Sequence, residues 1–158
     1  MYYKSMSGEL REPTPGYLVW RLSIKWRVAV DRALAPLGLT HAQYVLLSSL
    51  LGMEEAGCRP SQRELADHTG LEALYVSKLA RTLESDGLVE RVRDPADTRV
   101  VRLGLTDRGR EAVTPAIATV QALLTRLLAP LGGLDDPRTA TLVRDLTALV
   151  NTPLDLPT

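Results

Sequence analysis

Apolar residues recur along this chain with two different periods, and the change of period organises it. Leu18, Leu22, Trp26, Val30 and Leu34 recur at helical spacing, with Arg21, Lys25, Arg27 and Asp31 between them. This predicts a first helix from about residue 16 to 37, ended by Pro36 and Gly38. Thr40-His41-Ala42-Gln43 reads as a capping box, in which Thr40 accepts from a backbone N–H three residues on and Gln43 reaches back. The following YVLLSSLLGMEE predicts a mostly buried helix that stops before Gly57. Cys58 to Pro60 leave room only for a short edge strand or a loop.

Ser61-Gln62-Arg63-Glu64 is a second capping box, opening a helix of about two turns with Leu65 and Ala66 toward the core. Thr69-Gly70 supplies a turn, and glycine takes the left-handed conformation that such a turn requires at low cost. A further helix is predicted from about Glu72 to Asp86, stopped by Gly87. The period then changes to two. Val101, Leu103 and Leu105 alternate with Val100, Arg102 and Gly104, so Leu88–Arg93 and Arg99–Leu105 read as strands of a hairpin. The linking Asp94-Pro95-Ala96-Asp97-Thr98 is turn-rich. Helical spacing returns after Thr106 and runs to about Leu131, with Pro115 expected to kink that helix or mark its true start. Gly132-Gly133 breaks the chain, and Asp135 or Asp136 before Pro137 starts a last helix ending near Asn151. Helix, tight turn, helix and hairpin in immediate succession make a winged helix-turn-helix.

The second helix of that motif has two faces. Val76, Leu79, Ala80 and Leu83 share one side. Leu74, Ser77, Lys78 and Arg81 lie roughly opposite. The polar ridge suits a DNA major groove: Lys78 and Arg81 can donate to guanine or neutralise phosphates, Ser77 can contact either, and Leu74 or Tyr75 can pack on a thymine methyl. In the hairpin, Asp97 is placed to pair with Arg99 at the tip, and a single projecting Arg exploits the negative potential of a minor groove. Arg91, Arg93 and Arg102 flank the loop within reach of phosphates.

Composition changes this picture in a few places. The chain has 158 residues, 45% of them apolar, which suits one domain with helical extensions. Net charge is zero, against the basic balance usual for a DNA binder. The distribution offsets this: residues 88–110 hold six Arg (91, 93, 99, 102, 108, 110) against four acids (90, 94, 97, 107). Uninterrupted apolar runs such as Tyr44–Leu47 are far too short to span a bilayer, and the N-terminus lacks the features of a signal peptide, so no membrane association is expected. Cys58 is the single cysteine, which excludes an intrachain disulfide and fits a cytoplasmic protein. His41 and His68 are widely separated, with no zinc-ligand spacing, so neither metal nor cofactor is expected. No nucleophile–base constellation or phosphate-cradling loop points to an enzyme.

With these residues in place, the chain resembles the MarR family of dimeric bacterial transcription regulators over about residues 16 to 150. The resemblance rests on LTHAQYVLLSSL, on SQRELADHTGLEALYVSKLARTLESDGLVER and on DPADTRVVRLGLTDRGRE. It implies a mostly α fold with a small β-hairpin wing, in which Ser77, Lys78 and Arg81 belong to the DNA-reading helix and Asp97 and Arg99 form a salt-bridged wing tip. It also implies a homodimer built from N- and C-terminal helices, binding double-stranded DNA as a repressor. The apolar stripes Ile117, Val120, Leu124, Leu127, Leu128, Leu131 and Leu142, Leu146, Leu149, Val150 independently permit such a partner. A pocket for a small-molecule effector is implied between the first two helices and the start of the fifth, where Trp20, Trp26, His41 and Tyr44 fall. Two departures matter. Leu74-Tyr75 stand where relatives often carry small hydroxyl residues. The first helix also lacks the cysteine of the family's peroxide sensors, so Cys58 is read as incidental.

The expected organisation is an N-terminal flexible arm (1–15), dimerisation helices (16–39 and 107–151), a DNA-binding domain (40–106) and a C-terminal tail (152–158). The competing reading is a winged-helix module that binds protein instead of DNA, which duplex affinity falling steeply with salt would exclude.

Overall fold

The computed structural model describes residues 12–154. Most of the expected N-terminal arm and the end of the tail lie outside them. The elements are α1 (Pro15–Leu34), α2 (His41–Glu55), α3 (Gln62–Thr69), α4 (Ala73–Ser85), β1 (Val89–Arg93), β2 (Val101–Leu105), α5 (Asp107–Leu128) and α6 (Pro137–Val150). Short 3-10 turns, Ala35–Leu37 and Ala129–Leu131, extend α1 and α5. The chain divides into two compact units, one ending at Ile117 and the other beginning at Ala118.

Local chemistry explains the boundaries. Thr14 caps α1 by accepting from the Tyr17 N–H (3.3 Å), and Pro15, expected in the arm, is the first helical residue. A proline is tolerated there because the first N–H groups of a helix have no partner within it. Both capping boxes form: Gln43 N–H donates to Thr40 Oγ1 (3.2 Å) and Thr40 N–H to Gln43 Oε1 (2.9 Å), while Glu64 N–H donates to Ser61 Oγ (3.1 Å) and Ser61 N–H to Glu64 Oε2 (2.6 Å). Pro115 neither starts α5 nor interrupts it. The start is set by Thr106, whose hydroxyl accepts from Gly109 N–H (3.0 Å) and donates to the Gly87 carbonyl (2.7 Å).

In the first unit, Val30 and Leu34 of α1, Leu46, Leu47 and Leu50 of α2, Leu65 of α3, Val76 and Leu83 of α4, and Leu103 of β2 are fully buried. The hairpin is antiparallel, with Val89 opposite Leu105 and Arg93 opposite Val101. The loop before α3 joins this sheet: Leu103 N–H donates to the Pro60 carbonyl (2.9 Å), and Ser61 makes a bridge with Arg102. Gly104, expected on the open face, is buried because the Arg59 guanidinium lies over it.

The second unit is simpler. Val120 and Leu128 are buried, and Thr139 hydrogen-bonds the Gly133 carbonyl (2.6 Å). Val143, Leu146, Leu149 and Val150 are exposed on α6. The stretch Asp107–Leu131 runs through both units. Its apolar content is spread through a helix rather than gathered in a run, and it is long and apolar enough to cross a membrane, with 22% of its most apolar window buried. Length and composition alone give it that property, which the packed helices of globular proteins share.

Candidate nucleic-acid interface

The helix-turn-helix is built by α3, α4 and the turn between them. Gly70 ends α3 at φ 69°, in the left-handed region. Thr69 Oγ1 donates to the Leu65 carbonyl (2.8 Å) and accepts from Leu71 N–H (3.4 Å), which stitches the turn to α3. α4 then buries Val76, Leu79, Ala80 and Leu83. Removing such a stripe of side chains from water contributes roughly 1.5–3 kcal/mol per large residue, so the orientation of α4 about its own axis is strongly fixed.

The opposite face of α4 is correspondingly presented to solvent. Leu74 is 77% exposed and Tyr75 42% exposed. Lys78 and Arg81 are exposed and Ser77 is half-buried. These five residues line one shallow depression of about 440 Å³ with Glu72. Among the described residues, no ion pair engages Lys78 or Arg81. Glu72, expected only as the start of the helix, lines the same depression. Its position immediately before the helix was the available signal, since it places a carboxylate beside the cations.

The wing divides its four arginines into two kinds. Arg99 stands at the tip with its side chain 91% exposed, and Asp97 Oδ1 accepts both its backbone N–H (3.0 Å) and its Nε–H (3.2 Å). Arg93 donates to the Thr98 carbonyl (3.2 Å) and stays exposed. Arg91 pairs with Glu84 of α4 (3.2 Å). Arg102 donates to Asp94 (2.6 Å), Glu64 (3.3 Å) and the Arg59 carbonyl (2.9 Å). Arg91 and Arg102 are thus held by their own chain, where the sequence reading had all three flanking arginines reaching outward.

Glu84, Glu64 and Asp94 do this holding; the sequence pattern marks Glu64 as a cap and Asp94 as a turn residue, not as arginine partners. The Arg102 guanidinium, with help from the Ala96 N–H, keeps the Asp94 carboxyl below the ordinary carboxylate range. The Ser61 N–H does the same for Glu64. Glu54, at the end of α2, accepts from the Leu105 N–H (2.7 Å) and pairs with Arg110, tying β2 and α5 to one side chain.

The aromatic and histidine residues expected to line a pocket lie on α1 and at the start of α2. Trp20 and Trp26, six positions apart, point about 120° apart around α1, and Trp20 is 57% exposed. His41 and Tyr44 are half-buried at the start of α2. The His41 N–H donates to Asp31 (2.7 Å). Burial lowers the His41 pKa, Arg27 adds to this, and Asp31 opposes it. A larger cavity of about 640 Å³ lies nearby, lined by Leu37, Gly38, Leu39, Asp86, Leu88, Arg108, Glu111 and Ala112. It touches the loop between α1 and α2 and the start of α5, but none of the four expected residues. Cys58 is exposed, and among the described residues no cluster of three or more His, Cys, Asp or Glu is placed to hold a metal ion.

Comparison with known proteins places this geometry. The MarR family profile matches residues 37–100. The HTH-type transcriptional regulator YdcH of Bacillus subtilis is 40% identical over 110 residues, covering 70% of this chain and 75% of YdcH. In the crystal structure of the Staphylococcus aureus MepR–DNA complex, the superposition covers 88% of this chain and 98% of MepR, with TM-score 0.78 and 25% identity. CouR of Rhodococcus jostii RHA1 bound to p-coumaroyl-CoA gives TM-score 0.71 and 29% identity over 90% of this chain and 94% of that one. CouR, described as a transcriptional repressor, bound to a 23-mer DNA duplex gives 0.73 and 27% over 87% and 93%. The winged helix-turn-helix read from the hydrophobic pattern, the wing motif and the relatives agree: the chain belongs to the MarR family of HTH-type transcriptional regulators.

Proposed function

We propose that this protein is a homodimeric repressor that reads a near-palindromic operator in double-stranded DNA. The observation that carries the reading is the pairing of an exposed α4 ridge, cationic and unengaged at Lys78 and Arg81, with an exposed guanidinium at Arg99. Leu74, Tyr75, Ser77, Lys78 and Arg81 enter a major groove, where the lysine and arginine donate to base edges or phosphates. Arg99 enters a minor groove with Asp97 fixing its direction, and Arg93 lies against the backbone. MepR and CouR, solved on DNA, support the mode of binding.

A second copy of the chain covers the apolar surface left open on the terminal helices. Leu18, Trp20, Leu22 and Ile24 of α1 and Leu146, Leu149 and Val150 of α6 are exposed, more apolar surface than a lone soluble chain usually shows. A two-fold dimer presents two α4 helices to successive major grooves about 34 Å apart, hence the near-palindrome.

The cavity beside Arg108 is the effector site. Its volume falls in the range of small-molecule pockets, and its leucines stand beside the Arg108 guanidinium and the carboxylates of Asp86 and Glu111, which suits a small ligand with both apolar and polar parts. CouR, solved with p-coumaroyl-CoA, supports a small-molecule effector. A ligand there sits against Asp86 and Leu88, just beyond α4, and shifts the population toward dimers whose helix spacing misfits the operator. The chain carries out no chemistry of its own, and it works in the cytoplasm, where its DNA is.

Selection of bound sequences from a random duplex pool tests the reading. A symmetric enriched site, bound with affinity that falls steeply with salt, is the expected result. No enrichment at low salt would favour a protein-binding module instead.

A further inference from the structure

We propose that Arg102 does not contact DNA but positions the wing, by clasping the wing loop to the start of α3. This rests on the DNA-reading assignment above and adds a residue to it.

The geometry assigns each donor of the guanidinium. Nε donates to Asp94 Oδ2 (2.6 Å) in the wing loop. Nη1 donates to the Arg59 carbonyl (2.9 Å) before α3 and to Glu64 Oε2 (3.3 Å) in its first turn. These partners lie 8, 43 and 38 positions away in the chain, so a single side chain gathers three separate segments.

Each partner is itself committed. The same Glu64 oxygen accepts the Ser61 N–H (2.6 Å) and completes the cap of α3. The other Asp94 oxygen accepts from Ala96 N–H (2.8 Å) and Asp97 N–H (3.3 Å), shaping the loop. Asp97 in turn holds Arg99 (3.2 Å). A continuous chain of hydrogen bonds therefore runs from the cap of α3 through Arg102 and Asp94 to the tip residue. Two carboxylates already face the Arg102 charge, and three of its five N–H groups are used, so little of it remains for a phosphate. Fixing the wing against α3 sets the reach from the groove-entering helix to Arg99.

The test measures affinity for the enriched duplex against salt concentration for the full-length protein and for Arg102→Ala, Asp94→Asn and the double variant. A residue that neutralises a phosphate releases counterions, so its removal lowers the slope of log K against log salt by about one. A clasp makes no such contribution. The expected result is that each single variant loses affinity roughly tenfold with the wild-type slope retained, and that the double variant loses no more than either. Asp94→Asn keeps the side-chain shape and guards against misfolding of the alanine variant. A slope lowered by about one in Arg102→Ala, or unchanged affinity in Asp94→Asn, overturns the proposal. Absence of duplex binding by the wild type would instead remove the DNA-reading assignment on which it rests.

Discussion

Asp97 holds Arg99 twice: one carboxylate oxygen accepts both the backbone N–H and the side-chain Nε–H of the arginine two residues on. The guanidinium is aimed yet 91% exposed. Replacing Arg99 by Ala is therefore expected to weaken operator binding by about 1–3 kcal/mol. Sedimentation of the variant should match the wild type, because no apolar helix face is altered. Unchanged duplex affinity in a titration would remove Arg99 from the interface.

Lys78 and Arg81 stand exposed on α4, with no ion pair among the described residues. Lys78→Ala or Arg81→Ala should each lower operator affinity by on the order of 1–3 kcal/mol if it reads a base. Fold stability should move little, since neither side chain is buried. Competition binding against site variants would show relaxed discrimination at one base pair for a base contact, and uniform weakening for a phosphate contact.

Two helical glycines should respond oppositely to the same substitution. A Cβ on Gly52 meets nothing within 4 Å, so Gly52→Ala is expected to stabilise by roughly 0.5–1 kcal/mol through backbone entropy. A Cβ on Gly109 would sit 2.0 Å from the Leu88 carbonyl oxygen, where backbone must move. Gly109→Ala should cost about 1–3 kcal/mol or more despite the helix preference for alanine. Urea midpoints of the two variants on either side of the wild type would be the signature.

Acid should loosen the wing. Asp94 is lowered chiefly by Arg102 and Glu64 chiefly by the Ser61 N–H. A carboxyl depressed in the folded state contributes stability that is present above its unfolded pKa, near 4, and is lost as pH falls below that value. Thermal midpoints should hold steady down to about pH 5 and then decline. Asp94→Asn should shallow the decline, and an unaltered acid limb would contradict the role given to this pair.

What could be read in the sequence follows how far each determinant lies from its partner. Thr40 with Gln43 and Ser61 with Glu64 are three residues apart, so both capping boxes were visible as strings. The two-residue alternation of Val101, Leu103 and Leu105 marked the second strand, and the spacing of Val76, Leu79, Ala80 and Leu83 set the buried face of α4. Arg91 and Arg102 looked like any wing arginine, because Glu84 and Glu64 reach them only through the fold. A pocket near Trp20 and Trp26 is implied by the family resemblance alone; helix geometry turns the two apart, and a cavity lies among Leu37, Leu88 and Arg108. Gly109 is legible only as part of a motif, since its reason is a carbonyl oxygen contributed by Leu88, outside its own helix.

Glu54 grips the Leu105 amide and Arg110 at the root of the hairpin, and Arg102 clasps the stem to α3, while Arg99 at the apex is held by Asp97 of its own loop. A hairpin held at its root and along its stem concentrates its thermal excursions at the tip. Arg99 is left to sweep a small arc in search of a narrow furrow, while the stem keeps its bearing on the rest of the protein.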